Sequence, residues 1–355
     1  MPAEQPSPIF PAAAGSRGIC PEPRGPSLYA TAPPYQGGDP GDYGRHLARV
    51  ARWSEEAGCE GILVYTDNSL LDPWLCAQIV IQSTRALVPL VAVQPIYLHP
   101  YAVAKNIATL SYLYGRRIDL NLVAGGFKTD LAALCDETPH DRRYDRLVEY
   151  TTIVKRLAAG GPVTFEGEFH RVVNLALTPR VPAHLAPRIL VSGSSPAGLA
   201  AARSLAALPV QYPAPAAELA EARPAEGRFG IRVGIVARDA EEAAWSIATE
   251  RFPEDRQGQL KHQLAMKVSD SSWHQQLSGL AKDHVSRDTY WMVPFTNYKT
   301  FCPYLVGSYD RVGTELARYF QQGCSAMILD VPIGTEELEH VRRAIRRGAE
   351  LAVHA

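Results

Sequence analysis

Short, almost wholly apolar segments alternate with helical stretches along most of this chain, and that alternation limits its fold more than any other feature. Ser27 to Thr31, Gly61 to Tyr65, Leu87 to Ile96, Arg117 to Val123, Arg188 to Ser192, Pro209 to Tyr212, Phe229 to Ala237 and Ser325 to Asp330 read as eight strands. Continuous apolar runs of this length are what strands buried on both faces require. Helical spacing fills the intervals: Asp42 to Ala57, Trp74 to Ser83, Tyr101 to Tyr114, Arg142 to Ala158, Pro196 to Ala206, a long region from Asp239 to about Lys282, and Glu336 to about Val353. Val163 to Val172 alternates with period two around Gly167 and reads as a β-hairpin inserted after the fourth helix. Eight strands each followed by helix imply a parallel sheet with right-handed crossovers that closes into a TM-less (β/α)8 TIM barrel with insertions. An open doubly wound sheet is the competing architecture, but no GxGxxG or GxxxxGKS/T follows any strand.

With 355 residues and a hydrophobic fraction of 46%, the chain fills one large barrel, expected over 26–355. Residues 1–25, rich in Pro, Ala and Gly, read as a mobile tail. The net charge of -1 argues against a nucleic-acid or membrane-surface protein. The longest apolar run, Ala86 to Ile96, is too short to span a bilayer, and no secretory signal opens the chain. Six cysteines without CxxC spacing fit reduced thiols in a cytoplasm rather than disulfides or a metal site, so no metal is expected.

In a barrel the chemistry sits at the C-terminal strand ends. The fifth strand runs into Gly193-Ser194-Ser195-Pro196, where Ser195 suits an N-cap and Pro196 the first helical position. Free N–H groups, hydroxyls and a helix N-terminus make either an anion site or an ordinary capped turn. Asn121 is polar inside an apolar strand and needs a partner. Thr138 and Asp141 have capping-box spacing, and His140 and Tyr144 share one face of the helix that follows. Arg232 is a charge within an apolar strand, which calls for a counter-ion or a ligand. Tyr290 to Tyr304 is dense in aromatics, with Lys299 its one cation, and reads as a covering patch or a lid over the barrel mouth. The Arg342, Arg343, Arg346, Arg347 cluster among Glu336, Glu337 and Glu339 reads as a solvated helix face.

Asn121-Leu-Val-Ala-Gly-Gly, His140-Asp-Arg-Arg-Tyr144, Val191-Ser-Gly-Ser-Ser195 and Phe229-Gly-Ile-Arg232, in that order, resemble the bacterial luciferase-like flavin-dependent monooxygenases. Among these the chain is most similar to the alkanesulfonate monooxygenase branch. The resemblance implies an enzyme that takes reduced FMN from a separate NAD(P)H-dependent flavin reductase and uses O2, as a flavin C4a-(hydro)peroxide, to oxygenate a small organic molecule. By position it implies Gly193, Ser194 and Ser195 at the phosphate, and His140 and Tyr144 at the phosphate and ribityl end. It also implies Asn121 and Ala124 at the flavin ring, and Tyr65, Asn68, Tyr212 and Trp291 in the substrate region. Arg232, Lys299 and Tyr298 are the implied catalytic groups; His99 and His140 are further candidates for a base. A homodimer or homotetramer is also implied. The sulfonate branch carries a threonine, a cysteine and a histidine where this chain has Ala124, Leu70 and Gly234. The expectation is therefore a different substrate, bulkier or carrier-attached, from a biosynthetic pathway. Relatives that transfer hydride with F420, or that only hold flavin, are the alternatives.

Overall fold

The computed structural model describes residues 25–222, 227–268, 277–281 and 286–354. The expected tail lies outside the described residues but for Gly25, as does part of the expected helical region before Lys282. Eight strands pair in parallel: β1 (Ser27–Thr31), β2 (Gly61–Val64), β3 (Val88–Val93), β4 (Asp119–Val123), β7 (Ile189–Ser192), β8 (Leu208–Gln211), β9 (Phe229–Arg238) and β12 (Cys324–Leu329). β8 pairs with β9, β9 with β12, and β12 with β1, so the sheet closes on itself as a TIM barrel. Closure leaves no strand edge among the eight, which is why continuous apolar runs suit them.

Side chains fill the barrel. Tyr29, Leu63, Leu90, Ala92, Leu190, Val210 and Ile328 form an inner cluster. At its floor the buried Asp119 carboxylate accepts from the Tyr29 hydroxyl, the Arg117 guanidinium and the Arg188 N–H. One carboxylate with this many donors is satisfied without water, and it ties β1, β4 and the start of β7 together.

The surrounding helices begin where local chemistry says they should. Asp72 Oδ1 accepts the N–H groups of Trp74 and Leu75 ahead of α2 (Pro73–Ser83), and His99 Nδ1 accepts that of Tyr101 ahead of α3 (Pro100–Tyr114). Ser195 Oγ accepts the Gly198 N–H ahead of α6 (Pro196–Ser204), with Pro196 first in the helix. The hairpin of β5 (Val163–Glu166) and β6 (Arg171–Leu175) is present, and Glu149 holds it. From α5 (His140–Ala159) the Glu149 carboxylate accepts the N–H groups of Glu168, Phe169 and His170.

Three expectations are corrected. The long helical region after β9 is two helices, α8 (Glu241–Arg251) and α9 (Arg256–Val268), because Pro253 lacks the N–H and the space to continue a helix. The expected capping box does not form: Pro139 precedes α5 without a side-chain cap, and the Thr138 hydroxyl donates to Asp136 instead. The aromatic segment is not simply a connection. It contains β10 (Tyr290–Trp291) and runs into β11 (Tyr304–Ser308), which pairs in parallel with the outer half of the long strand β9, and a helix at Tyr309–Gln321 follows. The C-terminal arginine cluster is solvated in part, but Glu337 is withdrawn from solvent and pairs with Arg238 and Arg251, fastening the last helix to β9 and α8.

Candidate functional site

A cavity opens at the C-terminal ends of β2, β3, β4, β7, β8 and β9. Its polar wall includes Asp67, Gln94, Asn121, Ser192, Ser194, Gln211, Tyr212 and Arg232, and Phe301 comes over it from the aromatic segment. Three carboxamides converge there from three strands. Asn121, 4% exposed, accepts the Ser192 hydroxyl at 2.8 Å through Oδ1, which turns Nδ2 to other acceptors. Gln94 donates to the Thr66 carbonyl at 3.3 Å, which leaves Oε1 to accept. Gln211 is 8% exposed, and its Nε2 has no partner among the described residues. A buried N–H without a partner costs about 1–3 kcal/mol, so this wall is completed by a ligand with donors and acceptors along a flat edge.

Beside this wall lies the turn from β7 into α6. The Ser194 hydroxyl is buried with no partner among the described residues, while that of Ser195 is committed to the helix cap. Gly193 is glycine for a reason of space: a Cβ there would lie 2.4 Å from the Tyr144 hydroxyl oxygen. Tyr144 therefore packs directly on the turn, with His140 edge-on to its ring at 5.4 Å. Backbone N–H groups, a free hydroxyl and the start of a nine-residue helix form an anion cradle. These residues fit the phosphate of FMN, and the carboxamide wall fits its ring.

Asp136 sets the position of α5 and hence of Tyr144. Its carboxylate takes both Arg146 guanidinium nitrogens, at 3.1 and 2.6 Å, and the Thr138 hydroxyl at 2.6 Å. Burial alone would raise the Asp136 carboxyl, but Arg146 and Thr138 outweigh it and hold it down at about 2. A carboxyl depressed in the fold stabilises the protein above its unfolded value near 4 and loses that contribution as the pH falls towards 2. Asp136→Asn is therefore expected to cost about 2 kcal/mol at pH 7 and much less at pH 2.5. Urea midpoints of wild type and variant at the two pH values check this; equal gaps would refute it.

Opposite the cradle, Arg232 lines the cavity between two phenol rings, 5.6 Å from the Tyr65 centroid and 5.9 Å from that of Tyr212. It donates to the Tyr212 hydroxyl at 3.2 Å, while its Nε has no partner among the described residues. Burial penalises the cation, but the Asp330 carboxylate and the phenols around it favour the charge, so the guanidinium persists. Burial also pushes the Tyr65 phenol up to about 12, which keeps it neutral. Asp330 is held in turn by the Tyr304 hydroxyl at 2.7 Å. The Tyr304 ring explains Gly234, since a Cβ at that position would lie 2.3 Å from it.

The other expected site residues fall elsewhere. Trp291 packs among Trp245, Phe252 and Tyr304 beside the barrel and does not line the cavity. Lys299 pairs with Asp255 at 2.7 Å ahead of α9. Tyr298, with φ of 55°, stacks edge-on with Phe301 at the rim. Asn68 is a strut: it accepts the Tyr97 hydroxyl at 2.7 Å and donates to the Asp130 carbonyl at 3.1 Å. Ala124 is core against α5 rather than cavity wall. His99 caps α3 and packs on His170. The sequence reading passed over Gln94, Gln211, Tyr304 and Asp330. A lone amide in an apolar strand, the mark that singled out Asn121, was the available signal for the first two.

The sequence profile of the luciferase-like monooxygenases matches residues 27–326. The chain is 34% identical over 311 residues, 85% of its own length and 91% of the relative's, to the 4-(gamma-L-glutamylamino)butanoyl-[BtrI acyl-carrier protein] monooxygenase BtrO of Niallia circulans. Its fold is similar to that of a riboflavin lyase, RcaE, solved with modified FMN and riboflavin, with a TM-score of 0.71, 18% identity and 90% of each chain covered. It is also similar to that of an F420-dependent secondary alcohol dehydrogenase in complex with an F420-acetone adduct, with a TM-score of 0.62, 16% identity, and 91% of this chain and 99% of the other covered. A barrel closed as this one is, with its polar mouth assembled from six strand ends, and a sequence match over that whole span place the chain in one group of oxidoreductases: it belongs to the luciferase-like monooxygenase family.

Proposed function

We propose that the chain is the oxygenase of a two-component system that uses reduced FMN and O2 to oxygenate a small organic substrate presented on a carrier. The observation that carries this reading is the pairing, in one cavity, of the Gly193–Ser195 cradle with the amide wall of Asn121, Gln94 and Gln211. The carrier rests on the likeness to BtrO, whose substrate is an acyl-carrier protein thioester. Bound there, reduced FMN supplies the electrons and the O2 chemistry.

The residues of the chain do the rest. Ser194 and the N–H groups at the start of α6 hold the phosphate, and Tyr144 braces the turn. Asn121 and Gln211 fix the ring by its edge. Arg232, kept charged and stacked between Tyr65 and Tyr212, meets the substrate, donating to an oxygen that gains negative charge in the reaction. Phe301 and Tyr298 close over the mouth and exclude water.

Anaerobic titration with reduced FMN, followed by tryptophan quenching and run in parallel with reduced F420, tests the cofactor. Saturable binding of reduced FMN, at least about tenfold tighter than F420, is the expected result. Preference for F420 would make the protein a hydride-transfer enzyme. Binding of neither would reduce the cradle to a capped turn. Oxygen uptake with a reductase, stoichiometric with substrate consumed, then separates turnover from simple flavin binding.

A further inference from the structure

A second chamber, of about 270 Å³, opens off the central cavity between the loop after β2 and the loop after β3. The two spaces share Thr66, Asp67, Ala92 and Gln94, so they form one bent channel with Asp67 and Gln94 at the bend. Leu70, Pro73, Trp74, Val93 and Leu98 make the chamber walls apolar. Every formal charge on those walls is negative: Asp67 and Asp72 line the chamber, and no Lys, Arg or His does. Asp72 Oδ1 is engaged by the N-terminus of α2. Asp67 uses only Oδ1 within the fold, accepting the Ser69 N–H at 2.7 Å and the Ser69 hydroxyl at 2.6 Å; it forms no ion pair with any described residue, and Oδ2 faces no donor among them. Gln94, 6% exposed, has spent its N–H on Thr66 and offers Oε1 at the same bend. The walls are rigid, since Asn68 ties Tyr97 to the loop after β2 and that loop to Asp130.

An apolar sleeve with a carboxylate and a carboxamide oxygen at its bend fits an aliphatic chain that carries a primary ammonium, whose three donors need acceptors. A metal ion does not suit it, because no group of three His, Cys, Asp or Glu side chains gathers among the described residues. We propose that this chamber receives the distal end of the substrate, an aliphatic acyl chain bearing a primary ammonium, with Asp67 as its counter-ion and Gln94 Oε1 as a second acceptor. The proposal rests on the oxygenase reading and names the substrate class for that site. Asp67 is then a specificity residue at one end of the channel and Arg232 the polar group at the other.

The test uses the full chain loaded with FMN and two N-acetylcysteamine thioesters, 4-aminobutanoyl and its N-acetylated counterpart. Calorimetry reads their binding directly, and oxygen uptake with a reductase reads turnover. Wild type is expected to bind the free amine about 10- to 100-fold tighter, the range for one charge-assisted pair. Asp67→Asn, which keeps an acceptor for Ser69, is expected to bring the two probes within about threefold while FMN affinity stays unchanged; Asp67→Glu restores part of the preference. Equal binding of both probes to wild type, no binding of either, or a preference that survives Asp67→Asn would overturn the chamber assignment. The two readings fail separately: an ammonium preference without oxygen uptake sinks only the oxygenase, and equal uptake with both probes sinks only the chamber.

Discussion

Replacing Arg232 by Met is expected to lower kcat/KM by at least about 100-fold while reduced FMN binds within about twofold of wild type, because the lost group acts on the substrate rather than on the flavin. The reasons lie in its surroundings. The guanidinium is stacked between the Tyr65 and Tyr212 rings, donates to one phenol and leaves Nε without a protein partner. Holding a charge in such a place is costly unless something uses it. Asp330 offsets part of that cost but forms no ion pair with Arg232 within 4 Å, and its own carboxylate is occupied by Tyr304. Met keeps the stem and the volume while removing charge and donors. Arg232→Lys is expected to recover little, because a point charge neither stacks as a plane between two rings nor offers the same fork of donors. Steady-state kinetics and flavin titration on the same preparations decide the matter. A variant that lost FMN affinity and thermal stability together, with kcat/KM falling only in proportion, would make Arg232 a structural cation.

Arg232 also shows what the sequence made legible. A charge in the middle of Phe229–Ala237 stands out because the strand around it is otherwise apolar, and the structure places it on the cavity. Ser195 and Pro196 were readable for a related reason, since N-cap and first-turn chemistry is local and needs no tertiary information. All eight barrel strands were likewise visible, because burial on both faces writes itself into consecutive residues. The misreadings share a different cause. Aromatic density in Tyr290 to Tyr304 does not say which way each ring points: Phe301 turns to the cavity, while Trp291 turns to Trp245 and Phe252. Lys299 had no visible partner until α9 brought Asp255 beside it. Thr138 and Asp141 had capping-box spacing, but Asp136 offered the Thr138 hydroxyl a carboxylate shared with Arg146, and a charged acceptor wins over a neutral N–H. β11 was hidden because it extends the sheet only through the outer half of β9, so its five residues are set by tertiary pairing rather than by a period of their own. Gly234 read as the loss of a polar side chain; in the fold it is the space that the Tyr304 ring occupies on its way to Asp330.

The turn before α6 carries the second large effect. Gly193→Ala is expected to weaken reduced FMN binding by about 100-fold or more, since the new Cβ would stand 2.4 Å from the Tyr144 hydroxyl oxygen and one of the two must move. If the turn yields, the N–H groups that face the phosphate lose their aim; if Tyr144 yields, the brace behind the turn is gone. Tyr144→Phe separates these outcomes. Without the hydroxyl, the nearest atoms of that ring to a Cβ at 193 lie 3.3 and 3.4 Å away, close to ordinary contact. Tyr144→Phe alone is expected to cost about tenfold or less, the worth of one hydrogen bond near the phosphate, while the double variant binds more tightly than Gly193→Ala alone. Rescue should be incomplete, because a φ of 157° at position 193 still favours glycine. A double-mutant cycle on reduced FMN affinity gives the coupling, and its sign is the diagnostic. Positive rescue makes steric contact with Tyr144 the reason for glycine and puts the flavin phosphate at this turn. Strict additivity would mean that the two residues act on different things, and that the close packing of Tyr144 on Gly193 serves the barrel rather than the cofactor.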